Sequence, residues 1–123
     1  PSLMKEWIDL VLEHGFAYGR TGRALEGKKI LSAISTGGRS DAYHSEEPGK
    51  YSFRQLLAPF EQSTSLCRMH YLSPFVTHGT HLLDEEGIKQ AASDYARVIR
   101  ALRDGIFSLE DLQKHEYIND LIS

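Results

Sequence analysis

Two short apolar runs with a helical stretch between them constrain this chain more than any other feature. Residues 28–35 (KKILSAIS) and 73–78 (SPFVTH) each end in a turn signal, Thr36-Gly37-Gly38 after the first and Gly79-Thr80-His81 after the second. Such runs read as buried strands, and Pro74 suits a strand start, where its missing N–H is not needed. Between them, Phe53, Leu56, Leu57, Phe60, Thr64 and Cys67 share one helix face. Pro59 kinks this helix in its early turns or marks where the helix proper begins. Strand–helix–strand order implies parallel strands joined by a right-handed crossover, so the fold class is α/β.

Three further helices are expected. Leu3, Met4, Trp7, Ile8 and Val11 form one face of a helix over residues 3–14, with Ser2 as N-cap and Gly15 as its stop. Asp84 caps a helix whose buried stripe is Ile88, Ala91, Ala92, Tyr95, Ile99 and Leu102, ending at Asp104-Gly105. Ser108 and Asp111 have the spacing of a capping box that opens a last short helix. Residues 15–27, with four glycines, and the polar residues 39–51, with a turn at Pro48-Gly49, read as loops. Without repeats or linkers, residues 1–123 are expected to form one domain with a helical tail from about residue 106. Two strands offer too little surface for three amphipathic helices, since sheets average about five to six strands. Either the strands pair with another chain or part of the sheet lies outside this sequence, and the start at Pro1 favours the second.

Composition excludes several function classes. The chain has 123 residues, 41% hydrophobic and 25% charged, which is a globular and not a disordered balance. Fourteen Lys and Arg against 17 Asp and Glu give a net charge of -3, without the basic excess that nucleic-acid binding needs. No apolar run approaches the ~18 residues of a membrane span, and no charged-then-apolar leader is present. The single cysteine, Cys67, excludes an internal disulfide framework and a cysteine-based zinc site, and fits a reducing compartment. On its helix face it reads as an inert small hydrophobe.

The stretch with most chemical content is Ser35-Thr36-Gly37-Gly38 at a predicted strand end. In open α/β sheets ligands sit beyond the carboxyl ends of strands, and this turn offers backbone N–H groups with no side chain in the way. The alternative is an ordinary glycine turn. Tyr43 and His44 follow on the next loop, either as proton donors to a reduced ring or substrate or as solvated loop residues. Phe16 and Tyr18 are either walls of a pocket or anchors of their glycine-rich loop. His78 and His81 have a spacing that suits a metal, but no further ligand stands close in sequence, so no metal is expected.

Taken together, PSLMKEWIDLVLEHGFAYG, LEGKKILSAISTGG, Tyr43, LLAPFEQ, CRMHYLSPFV and HGTH resemble, in order, the flavodoxin-like NAD(P)H:quinone oxidoreductase family. Within it the likeness is greatest to the bacterial NAD(P)H oxidoreductases that serve as ancillary proteins of glutathione-regulated potassium efflux. The resemblance covers about residues 1–83. It implies a doubly wound parallel sheet carrying FMN or FAD, with Ser35, Thr36, Gly37, Gly38 and Tyr43 as cofactor-binding residues. It implies Tyr43 and His44 as catalytic residues and Phe16 and Tyr18 as substrate-binding ones, often supplied across a homodimer interface. In that family hydride passes from NAD(P)H to flavin and on to a quinone-like acceptor. The family places a histidine about six residues beyond the tyrosine, where this chain has Pro48-Gly49. The family's phosphate-binding turn precedes the helix that starts here, so the chain reads as the carboxy-terminal two-thirds of such a protein.

The resemblance also implies a cytoplasmic protein, peripheral at the inner membrane through a potassium-efflux antiporter. Three readings stay open: a flavin-dependent NAD(P)H oxidoreductase, a regulatory ancillary subunit of that antiporter, and an inactive fragment that only oligomerises. Residues 1–123 alone are expected to bind flavin weakly and to self-associate through uncovered apolar surface.

Overall fold

Pro59 breaks the central helix in two. It has no N–H to offer the carbonyl of Gln55, and the helix stops at Leu57 and restarts. The computed structural model describes residues 1–123 as α1 (Ser2–Val11), β1 (Lys29–Ile30), β2 (Ala33–Ser35), α2 (Phe53–Leu56), α3 (Ala58–Leu66), β3 (His70–Tyr71), β4 (Phe75–Thr77), α4 (Glu85–Arg103) and α5 (Leu109–Lys114). Short 3-10 turns cover Ser40–Ala42, Thr80–Leu82 and Ile118–Leu121. All strand pairing is parallel, as the strand–helix–strand order requires. No helix is long and apolar enough to cross a membrane.

The first predicted strand is two shorter ones, β1 and β2, while the second is β4 with β3 unexpectedly ahead of it. Lys29 and Ile30 pair with His70 and Tyr71, whereas Ala33, Ile34 and Ser35 pair with Phe75, Val76 and Thr77. Pairing thus begins at His70, ahead of the expected start at Ser73. It lapses over residues 72–74, where Pro74 has no N–H and Ser73 donates its own to the Leu112 carbonyl at 2.8 Å.

The chain divides into two compact units. One comprises residues 1–30 and 58–71, and the other residues 31–57 and 72–123. The first holds α1, α3 and the β1–β3 pair. Its buried residues are Ala17, Gly22, Thr64, Cys67 and Tyr71. Helix α1 starts from Pro1 without a side-chain cap, so Ser2 is its first residue and not its N-cap, and it ends at Val11, short of the expected His14. None of its residues is buried. Cys67 is 1% exposed, and burial pushes its thiol pKa up, as an inert small hydrophobe requires.

The second unit holds β2, β4, α2, α4 and α5. Its core is Leu72, Phe75, Val98, Leu112 and Ile118, flanked by Leu31, Leu102, Phe107 and Leu121. Each large side chain fully buried here contributes about 1.5–3 kcal/mol. The stripe expected on α4 needs correction: only Val98 and Ala101 are buried, while Ile88, Tyr95 and Ile99 are exposed. Helical period picks out an apolar face, but only the second half of α4 meets a core. Two of the expected caps formed, with Asp84 accepting from the Gly87 N–H at 2.8 Å and Ser108 from that of Asp111 at 3.1 Å.

Candidate functional site

The loops that follow β2 and β4 are zipped together, and that zipper builds the site. Thr36 donates its N–H to the Thr77 carbonyl at 2.9 Å, Thr80 donates to the Thr36 carbonyl at 3.0 Å, and Gly79 donates to the Gly38 carbonyl at 2.9 Å. Gly79 adopts φ +61°, a left-handed conformation that glycine enters without penalty. The Gly37–Gly38 turn is thereby held at the carboxyl end of β2, where the sequence places it.

Thr36 links the turn to Tyr43. Its Oγ1 accepts from the Gly38 N–H at 3.2 Å and lies 2.5 Å from the Tyr43 hydroxyl, a contact in which either hydroxyl can donate. Tyr43 stands at the end of the Ser40–Ala42 turn, its N–H donated to the Ser40 carbonyl. Its ring lies 4.3 Å from that of Phe53 and 5.7 Å from that of His78, and Tyr117 closes the cluster 5.2 Å from His78. The Gly37 N–H has no partner within the chain, and Gly37 itself is exposed. The site therefore offers an open backbone donor beside a hydroxyl pair.

Neither glycine has free space above its Cα. A Cβ on Gly37 would stand 2.6 Å from His81 Nε2, and one on Gly38 would stand 2.8 Å from the Tyr43 hydroxyl oxygen. His81, singled out in the sequence only for its spacing from His78, thus lies against the turn. His78 is spent differently. Both of its ring nitrogens are buried without a hydrogen-bond partner, and burial holds its pKa below the ordinary range, with the Gly38 backbone as the smaller, opposing influence. Burial likewise raises the pKa of Tyr117, helped by the charges of Glu116 and Asp120. Phe53, His78 and Tyr117 were legible only as an apolar helix position, a metal spacing and a tail residue, since nothing local marks them as neighbours of Tyr43.

Ser35 is the last residue of β2 and exposed. His44 turns to its own loop: its Nδ1 accepts from the Glu46 N–H at 3.3 Å, and its Nε2 lies 3.8 Å from the Glu47 carboxylate. Phe16 and Tyr18 belong to the other unit. Phe16 is half exposed and accepts from the Ala24 N–H, while Tyr18 packs edge-on against His14 at 5.4 Å. Their loop is fastened by Arg68, whose guanidinium donates to the Gly22 and Gly19 carbonyls at 2.9 and 3.1 Å. Arg68 is also the one non-glycine residue with positive φ, +58°. A residue that holds a loop from outside it carries no local signal in sequence.

Residues 1–99 match a family model described as a flavodoxin-like fold. The glutathione-regulated potassium-efflux system ancillary protein KefG of Pectobacterium carotovorum is 41% identical over 95 residues, 77% of this chain and 52% of its own. Among solved structures, the general stress protein 14 of Treponema denticola in complex with FMN superposes with a TM-score of 0.74 at 36% identity, over 83% of this chain and 58% of that one. An NADPH-quinone reductase from P. pentosaceus gives a TM-score of 0.69 at 30% identity, over 77% of this chain and 56% of its own. The chain spans about half the length of the curated relatives it matches.

Proposed function

We propose that this chain, which belongs to the flavodoxin-like family, supplies the ring-binding part of a flavin site in an NAD(P)H-dependent oxidoreductase with a quinone-like acceptor. One observation carries the proposal: an exposed, unpartnered Gly37 N–H stands beside the Thr36–Tyr43 hydroxyl pair at the carboxyl end of a parallel strand. That donor set fits the carbonyl and nitrogen edge of an isoalloxazine ring. The likeness to an FMN complex and to an NADPH-quinone reductase supports it.

Ser35, Thr36, Gly37 and Gly38 would hold the ring, the glycines because backbone donors reach a flat ligand without an intervening side chain. Bound flavin supplies the hydride chemistry. Tyr43 holds a proton at its phenol oxygen, oriented by Thr36, where it can be given to or taken from the ring or the acceptor. His44, occupied with Glu46 and Glu47, is the weaker of the two proposed acid–base groups, and His81 is an imidazole that lies against Gly37. Phe16 and Tyr18 are proposed as substrate-pocket walls on a loop that Arg68 keeps in shape.

The test uses the complete protein that contains this chain. It should purify with bound flavin and oxidise NADPH or NADH with a quinone. Tyr43→Phe should lower turnover about a hundred- to ten-thousand-fold, the range of a positioned acid–base group, with little change in stability. A colourless, inert protein would sink the proposal, and unchanged turnover in the variant would remove Tyr43 from it. A second reading, a regulatory subunit of a potassium-efflux antiporter held at the inner membrane by that partner, rests on the likeness to KefG. Co-purification with a membrane transporter, without quinone reduction, is the outcome that favours it.

A further inference from the structure

The family match ends at residue 99, yet residues 100–123 are built into the second unit. Leu112 and Ile118 are core residues. Arg54 donates to the Gln113 carbonyl, Ser73 Oγ donates to the His115 carbonyl at 2.7 Å, and the Ile118 N–H donates to the Pro74 carbonyl at 2.9 Å. Asn119 takes both backbone groups of Val76, accepting from its N–H at 3.0 Å and donating to its carbonyl at 3.1 Å.

Tyr117 lies between these anchors in the chain. It meets His78 edge-on at 5.2 Å and Phe53 at 6.3 Å, and these two rings in turn flank Tyr43. Tyr43 needs such a wall. Its own loop, residues 39–51, has few backbone hydrogen bonds and no regular structure beyond one 3-10 turn.

We propose that the segment beyond the family match completes the candidate site: Tyr117, acting through the His78 and Phe53 rings, holds the Tyr43 hydroxyl on Thr36 beside the Gly37–Gly38 turn. Tyr117 and His78 are positioning residues, since neither is placed to touch a ligand at the turn. The importance of that position for catalysis rests on the flavin reading, whereas the packing itself can be tested with no flavin present. The groups that face His78 are the rings of Tyr43, Phe53 and Tyr117 and the backbone of Gly38, with Glu116 and Asp120 the charges beside Tyr117.

The experiment records tyrosine Cζ signals by NMR on the chain of residues 1–123, with the Tyr43 signal identified by its loss in Tyr43→Phe. Tyr117→Leu should move that signal to the position of a tyrosine in the unfolded chain, and Tyr117→Phe should leave it in place. His78→Ala should move it in the same way and His78→Phe should not, so this pair decides the matter even if Tyr117→Leu does not fold. Leu112→Ala opens the core without touching the ring cluster. It should lower the melting temperature and leave Tyr43 unmoved. A Tyr43 signal that ignores either a folded Tyr117→Leu or His78→Ala, or that Leu112→Ala moves equally far, overturns the proposal.

Discussion

Gly37 and Gly38 are adjacent in sequence and face different neighbours. A Cβ on Gly37 would strike the His81 imidazole, the far end of an exposed side chain that can swing aside. A Cβ on Gly38 would strike the hydroxyl and Cε2 of Tyr43, at 2.8 and 2.9 Å, and that ring is held by Thr36, Phe53 and His78. Gly37→Ala is therefore expected to leave the urea midpoint nearly unchanged, while Gly38→Ala should cost about 1–3 kcal/mol by overpacking. Equal costs would mean that Tyr43 is not held where it stands. The side-chain-free turn was legible because two glycines at a strand end are a local pattern. The neighbours of the turn were not, because His78 and His81 reach it, and Tyr117 reaches His78, only once remote loops have come together.

Among elements, the contrast lies between caps and ladders. Asp84 and Ser108 could be read as caps because a cap joins residues three apart and needs no tertiary context. Strand lengths could not, because a ladder depends on what lies opposite: β4 spends the backbone of Phe75 and Thr77 on β2 and leaves Val76 facing the other way. Asn119 completes that edge by mimicking a strand with its carboxamide, which also denies the edge to another chain. Asn119→Ala should leave both Val76 backbone groups buried and unpaired, at roughly 1–3 kcal/mol for each. Denaturant unfolding together with amide exchange at Val76 checks this. An exchange rate at Val76 that does not change would show that Asn119 does not protect the Val76 N–H.

At the scale of the whole molecule, large apolar side chains remain in water. On α1, Leu3 is 77% exposed, Trp7 59% and Leu10 67%, and on α4 Ile88 is 59% exposed. A cleft of about 280 Å³ runs beside β2 and β4, lined by Ala33, Ile34, Phe75, Ala91, Ala92 and Tyr95. Residues 1–123 in isolation should therefore self-associate, with a light-scattering mass that rises with concentration. Trp7→Lys with Leu10→Lys should reduce that association and keep the helix content, since α1 buries none of its residues. A strictly monomeric chain at all concentrations would refute the expectation. The α/β class, the parallel strands, the glycine turn at a strand end, the caps of α4 and α5 and the flavodoxin-like family were all determined by the order of residues alone. Each of these depends on neighbours within a few positions or on motifs in a fixed succession. Only the tertiary structure decided which apolar faces are covered, that Arg68 fastens the glycine-rich loop, and that Tyr117 stands behind Tyr43. Those contacts join residues far apart in the chain, and short-range periodicity carries no information about which distant surfaces will meet.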